Sequence, residues 1–181
     1  MSTFYTRKGD DGTTGLLGEG RLPKYHPRME TVGTLDEATA ALGLARSLVQ
    51  NAALQPILLQ TQRDLYGLMA EVAATSENAA QFRSIDTARV EWLETQTDTL
   101  TEIVEMPKEF ILPGETQGSG ALALARTVIR RAERRVAEML AEGELENQDL
   151  LRYLNRLSSL CFVLELAENQ FSEIETKQAK G

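Results

Sequence analysis

Apolar residues recur at helical spacing through five separate segments of this chain, and that rhythm limits the fold more than any other feature. Leu54, Leu58, Thr61, Leu65, Leu68 and Val72 step by fours and threes, which lines them up on one side of a helix. Leu122, Ala125, Ile129, Ala132, Val136 and Met139 follow the same steps, as do Leu150, Leu154, Leu157, Cys161 and Leu164. Val32, Leu35, Thr39 and Leu42 open an earlier segment over roughly residues 29–50. Asp86 is placed to cap another, carrying Val90, Leu93, Thr97 and Leu100. Each stripe needs a partner face to bury against, so the expectation is an all-α, five-helix bundle.

Three stretches break the rhythm. Residues 1–28 are rich in Gly and Pro, residues 74–85 are polar and read as a loop, and residues 106–118 set Phe110-Ile111-Leu112 among Pro107, Pro113, Gly114 and Gly118. The expected layout is a single domain over 1–181, with a loop at 1–28, the bundle at 29–171 and a flexible tail at 172–181.

The 181 residues carry a net charge of −8, which argues against nucleic acid as a partner. The charge is unevenly spread. Residues 1–28 hold five Lys/Arg against three Asp/Glu, and residues 126–135 hold five Arg against one Glu. Two basic zones on an acidic chain suit a confined anion such as a polyphosphate. No apolar run approaches the ~20 residues of a membrane span, and the start lacks the pattern of a signal or transit peptide. One cysteine, Cys161, and one histidine, His26, leave no disulfide and make a zinc site unlike this composition. A reducing, cytoplasmic setting is expected.

Gly9, Gly12, Gly15, Gly18 and Gly20 lie close together, with Lys8, Thr13 and Thr14 among them. Glycines let backbone N–H groups crowd an anion, so the segment reads as a phosphate cradle. A solvated arm accounts for the same spacing equally well, and neither the P-loop nor the dinucleotide pattern is present. In the fourth segment Arg126, Arg130 and Glu133 fall at the edge of the apolar seam, with Arg134 further round and Arg131 and Arg135 turned outward. Arg126, Arg130 and Arg134 repeat one sign at i, i+4 and i+8, a repulsion that an anion or carboxylate relieves; Asp36 and Glu37 are candidate carboxylates. A plain basic surface stripe is the alternative. Asn155, Ser159 and Phe162 share a face, fit either to hold a nucleotide or to join two helices. Phe110 reads either as a core plug or as a projection from a rigid loop. His26 reads as part of an exposed turn with no role.

Tyr5-Thr6-Arg7-Lys8-Gly9-Asp10-Asp11-Gly12-Thr13-Thr14, Gly33-Thr34-Leu35-Asp36-Glu37, Phe110-Ile111-Leu112-Pro113-Gly114, the arginine run 126–135 and Asn155-Arg156-Leu157-Ser158 together resemble the PduO-type ATP:cob(I)alamin adenosyltransferases. The resemblance runs from about residue 4 to residue 169, in the family's order and spacing. It implies a cobalamin adenosyltransferase-like bundle assembled as a homotrimer with active sites between subunits. It implies that ATP, with Mg bound through its phosphates, is held by Thr6, Arg7, Lys8, Gly9, Thr14 and Lys24, and by Arg130, Glu133, Arg134 and Asn155. Asp36 and Arg126 map onto an interface ion pair; with Arg130 and Phe110 they make up the implied catalytic set. Phe110, Phe162 and Ser159 map to the corrinoid side, where Phe110 crowds the lower face of cobalt. The implied activity is transfer of the 5′-deoxyadenosyl group of ATP to reduced cobalamin or another corrinoid, releasing triphosphate. A cob(II)alamin reductase or flavin reductant is the implied partner, with no membrane or nucleic acid.

The sequence departs from the family's pattern at four places. Ser159 replaces a usual aspartate, Ala38-Thr39 a common Leu-Asn, and Arg7 a lysine; Glu165 lies in a stretch that is often Ala-Arg. The Ser159 change keeps open an alternative, a catalytically impaired ATP- or corrinoid-binding sensor on the same scaffold.

Overall fold

Each apolar stripe becomes the buried side of a helix. The computed structural model describes Tyr5 and residues 7–180. Two short strands, β1 (Thr13–Gly15) and β2 (Arg21–Pro23), precede five helices: α1 (Pro27–Leu48), α2 (Gln55–Ala73), α3 (Thr87–Thr101), α4 (Gln117–Ala141) and α5 (Gln148–Phe171). α4 lies between α1 and α5, α2 packs on α1, and α3 packs on α5. The whole expected α4 seam is buried, from Leu122 to Met139, as is the α5 seam from Leu150 to Leu164. A fully buried leucine of this kind contributes roughly 1.5–3 kcal/mol.

The helix ends follow local chemistry. Asp86 caps α3 by accepting from Arg89 N at 3.0 Å. Thr116 and Ser119 form a reciprocal box at the start of α4, each side chain accepting from the other's backbone N–H at 2.9 Å. His26, expected to be without a role, caps α1: its Nδ1 accepts from Arg28 N at 3.2 Å. Arg28 is 5% exposed and donates to the carbonyls of Val72 and Ala74 and to both the carbonyl and carboxylate of Glu144. That clamp joins the start of α1 to the ends of α2 and α4.

A second buried network joins α2, α3 and α5. The Asp64 carboxylate accepts from Tyr153 Oη at 2.7 Å and Gln60 Nε2 at 2.9 Å, and pairs with Arg89. Burial first, then the neighbouring Asp64 charge, holds the Tyr153 phenol well above its ordinary range.

The non-helical stretches are more ordered than their sequence suggests. β1 and β2 pair antiparallel, with Thr14 opposite Leu22. The 74–85 stretch contains a single turn of tight helix at Ala79–Phe82. The segment expected as a flexible tail pairs with residues 110–112 through an isolated antiparallel bridge at Ile111 and Gln178: Leu112 N donates to Lys177 O at 2.9 Å, and Ala179 N to Phe110 O at 2.7 Å.

Candidate active site

Residues of α4 and α5 line two cavities. The first, about 530 Å³, is lined by Arg130, Glu133 and Arg134 from α4 and by Arg152, Asn155 and Arg156 from α5. Asn155 Nδ2 donates to Glu133 Oε1 at 2.8 Å, and Asn155 Oδ1 accepts from Arg156 Nη1 at 2.8 Å. Arg156 is held from its far side by Glu94 of α3 at 2.8 Å. Arg152 is likewise paired, with Asp149 at 3.0 Å, so Arg130 and Arg134 carry the cavity's excess positive charge, which suits a polyanion.

Arg131 and Arg135 lie toward the solvent side of α4, as their spacing suggests, and their ends find partners there. Both reach toward α1: Arg131 pairs with Glu37, and Arg135 with Glu30 at 3.8 Å, as well as with Glu138 of its own helix at 3.2 Å. α4 therefore divides its arginines, Arg130 and Arg134 toward α5 and Arg131 and Arg135 toward α1. Glu37 meets Arg131, not the Arg126, Arg130 and Arg134 stripe it was expected to neutralise. Asp36 is exposed, and no ion pair joins it to Arg126 among the described residues of the single chain.

The second cavity, about 450 Å³, is lined by Pro107, Lys108, Glu109, Phe110, Ile111, Arg126 and Phe162. Phe110 is 87% exposed, which removes the core-plug reading. The tail holds its backbone while the ring stands free. Gly114, at φ +112°, makes the turn out of Pro113 that leads into α4, a backbone conformation costly for other residues. Ser159 is exposed on α5 between Asn155 and Phe162, and its hydroxyl lies 3.4 Å from Asn155 O.

The glycine-rich segment is fixed to the C-terminal end of α2. Leu17 N donates to Ala73 O at 2.9 Å and Thr75 N to Leu17 O at 3.2 Å. A Cβ at Gly18 would stand 2.6 Å from Thr75 Oγ1, so the close approach requires glycine. Asp11 accepts from the backbone and hydroxyl of Thr13, and these bonds, with Arg21 and Lys24 nearby, hold its carboxyl below its ordinary range. Arg21 braces the loop through the carbonyls of Lys8 and Thr13. Lys24 Nζ lies 3.1 Å from where a Gly9 Cβ would be, which puts that ammonium over the loop. Arg7 has φ +60°, and Arg7, Lys8 and Lys24 are exposed, with Gly9 and Thr14 partly so. Thr6 lies outside the described residues. None of the described residues among them lines the arginine cavity of the same chain.

Arg152 of the arginine cavity is absent from the sequence expectations, and Arg156 enters them only as part of a motif. The available signal is their i, i+4 spacing on α5, the same as that of Arg130 and Arg134 on α4.

A family model described as cobalamin adenosyltransferase matches residues 4–168. The corrinoid adenosyltransferase PduO of Citrobacter freundii is 41% identical over 167 residues, 92% of this chain and 50% of the relative. The corrinoid adenosyltransferase of Bacillus subtilis strain 168 is 37% identical over 175 residues, 94% of this chain and 89% of that protein. The chain thus spans about half the length of the PduO relative. A variant PduO-type ATP:corrinoid adenosyltransferase from Lactobacillus reuteri, solved complexed with cobalamin and ATP, has a TM-score of 0.92 at 32% identity, covering 99% of this chain and 100% of that one. With its motifs in register and its fold matched end to end, the chain belongs to the cobalamin adenosyltransferase family.

Proposed function

We propose that the chain transfers the 5′-deoxyadenosyl group of ATP to the cobalt of a reduced corrinoid. The observation that carries this reading is the adjacency of the two cavities. Arg126 lines one and Arg130 the other. At 1.5 Å of rise per residue they stand about 6 Å apart along α4. A polyanion pocket and an aromatic-walled pocket so close together suit a reaction between a nucleotide and a large planar partner.

The lone pair of reduced cobalt forms the Co–C5′ bond, the C5′–O bond breaks, and its electron pair leaves with triphosphate. The nucleophile belongs to the substrate, so the protein's work is positioning and charge stabilisation. Arg130 and Arg134 face the charge that gathers on the leaving group, Glu133 and Asn155 orient the nucleotide, and Mg²⁺ enters bound to the phosphates. Thr6, Arg7, Lys8, Gly9, Thr14 and Lys24 close over the triphosphate. Phe110 wedges against the lower face of the corrin, with Phe162 beside it.

The described residues of the glycine-rich segment do not line the arginine cavity of their own chain, which supports sites completed between subunits of a homotrimer. α1 presents Asp36, Ala40 and Leu44 on one exposed line, Leu44 being 48% exposed, and α4 presents Leu124, 52% exposed. In the trimer Asp36 meets Arg126 of the neighbouring subunit. No helix among the described residues is long and apolar enough to cross a membrane. The reading is of a cytoplasmic enzyme fed by a cob(II)alamin reductase or a flavin reductant.

The test is a single-turnover reaction of the chain with MgATP and chemically reduced cobalamin, read as the light-sensitive absorption of a Co–C bond and release of triphosphate. Binding of both substrates without that bond would support the sensor alternative that Ser159 keeps open. Binding of neither would reject the reading.

A further inference from the structure

Behind the Phe110–Phe162 cavity lies a carboxyl group that the proposed reaction does not use. Glu165 sits one helical turn after Phe162 on α5 and is 2% exposed. Its Oε1 has no hydrogen-bond partner among the described residues, and neither has the buried Nε of Arg126. Arg126 nevertheless lines the cavity, and its charge acts on Glu165, although no ion pair joins the two among the described residues. A buried, unpaired carboxyl is costly and persists where something recovers the cost.

We propose that Glu165 is a positioning residue for the corrinoid side of the site, one that competes with the cavity for the Arg126 guanidinium. This rests on the reading of that cavity as the corrinoid pocket. When ionised, Glu165 draws Arg126 toward the core and away from the cavity wall and the subunit boundary. When protonated, it leaves Arg126 to both. Burial raises the Glu165 carboxyl to about 7, against the opposing pull of Arg126, so the exchange falls in the neutral range.

The other charged groups around it are few. Cys161, one turn earlier on α5, has its thiol pushed up to about 12 by burial and stays neutral. Glu168, one turn later, is occupied by Gln50 N and Asn51 N. Lys108 and Glu109 face the cavity from the linker before α4, and Glu105 and Glu173 border the adjacent hollow beside Leu166.

The test uses the full chain saturated with MgATP and titrated with cobinamide, a corrinoid without a lower base, so that release of that base adds no pH dependence. Cobinamide affinity of the wild-type protein should fall roughly tenfold from pH 6 to pH 8.5, the change expected if binding shifts one coupled group by about one unit. Glu165→Gln should keep the low-pH affinity throughout, with ATP affinity unchanged. Arg126→Lys, with a shorter reach, should also flatten the profile. An infrared carboxylic C=O band that titrates near neutrality in the wild-type protein, and moves its midpoint when cobinamide is added, supports the proposal without any variant. A pH profile retained in Glu165→Gln, or an infrared midpoint indifferent to cobinamide, overturns it. No cobinamide binding at any pH would instead reject the corrinoid reading of the cavity.

Discussion

Asn155 on α5 donates to Glu133 on α4 at 2.8 Å, and both residues line the arginine-rich cavity. The bond keeps the carboxylate turned toward the amide in a cavity that Arg130 and Arg134 also line. Asn155→Asp would set two carboxylates face to face. ATP affinity is expected to fall roughly tenfold or more, since like charges in contact cost on the order of 1–2 kcal/mol at a partly exposed site. Asn155→Ala should lose less. Calorimetric titration with MgATP checks the order, and equal losses would reject a role for the pair.

Arg130→Ala should weaken ATP binding and slow turnover far more than Arg135→Ala. Arg130 lines the cavity, whereas Arg135 is engaged with Glu30 and Glu138 on the other side of α4. Partly exposed pairs of that kind contribute only ~0.2–1 kcal/mol, so Arg135→Ala should show a small change in melting temperature and little in catalysis. Equal kinetic effects would remove Arg130 from the site.

Phe110→Ala should leave the melting temperature nearly unchanged, because the ring is 87% exposed and fills no core space. Turnover should fall much more than ATP affinity, which resides in the neighbouring cavity. The fraction of four-coordinate Co(II) on the variant, read by electron paramagnetic resonance, should drop. A normal fraction would refute the wedge.

Asp36→Ala should loosen the trimer and lower activity together. If Asp36 meets Arg126 across the boundary, removing one partner strands the other charge, at a typical cost of ~3–5 kcal/mol. The exchange pair Asp36→Arg with Arg126→Asp should restore part of the assembly in sedimentation experiments. Absence of coupling in that double-mutant cycle would reject the pair.

Stability should decline with rising pH through the neutral range, and Glu165 should be the reason. Burial raises its folded-state value to about 7, above the usual carboxylate range. The folded chain therefore binds this proton more tightly than the unfolded chain. The stabilisation is complete below the unfolded value and is lost as pH rises to about 7. Denaturation midpoints between pH 5 and pH 8 should show this slope, at most ~1.4 kcal/mol per pH unit. Glu165→Gln should flatten it.

The sequence by itself determined the five helices, their buried faces and the position of Arg130 beside the seam. A 3.6-residue period is a local property, visible wherever an apolar stripe is long enough to repeat. The cap at Asp86 was equally legible, because capping joins residues three apart. The tertiary structure decided the rest. The division of the α4 arginines depends on how far the helix is rotated between α1 and α5, which its own sequence does not record. β1 and β2 have three residues each, too short to show alternation, and exist because Arg21 and Asp11 brace Thr13. Exposure of Phe110 and burial of Glu165 were both unreadable for one physical reason. Apolarity predicts burial only on average, and a single side chain's environment is set by neighbours distant in the chain: residues 177–179 behind the Phe110 backbone, and α4 beside Glu165.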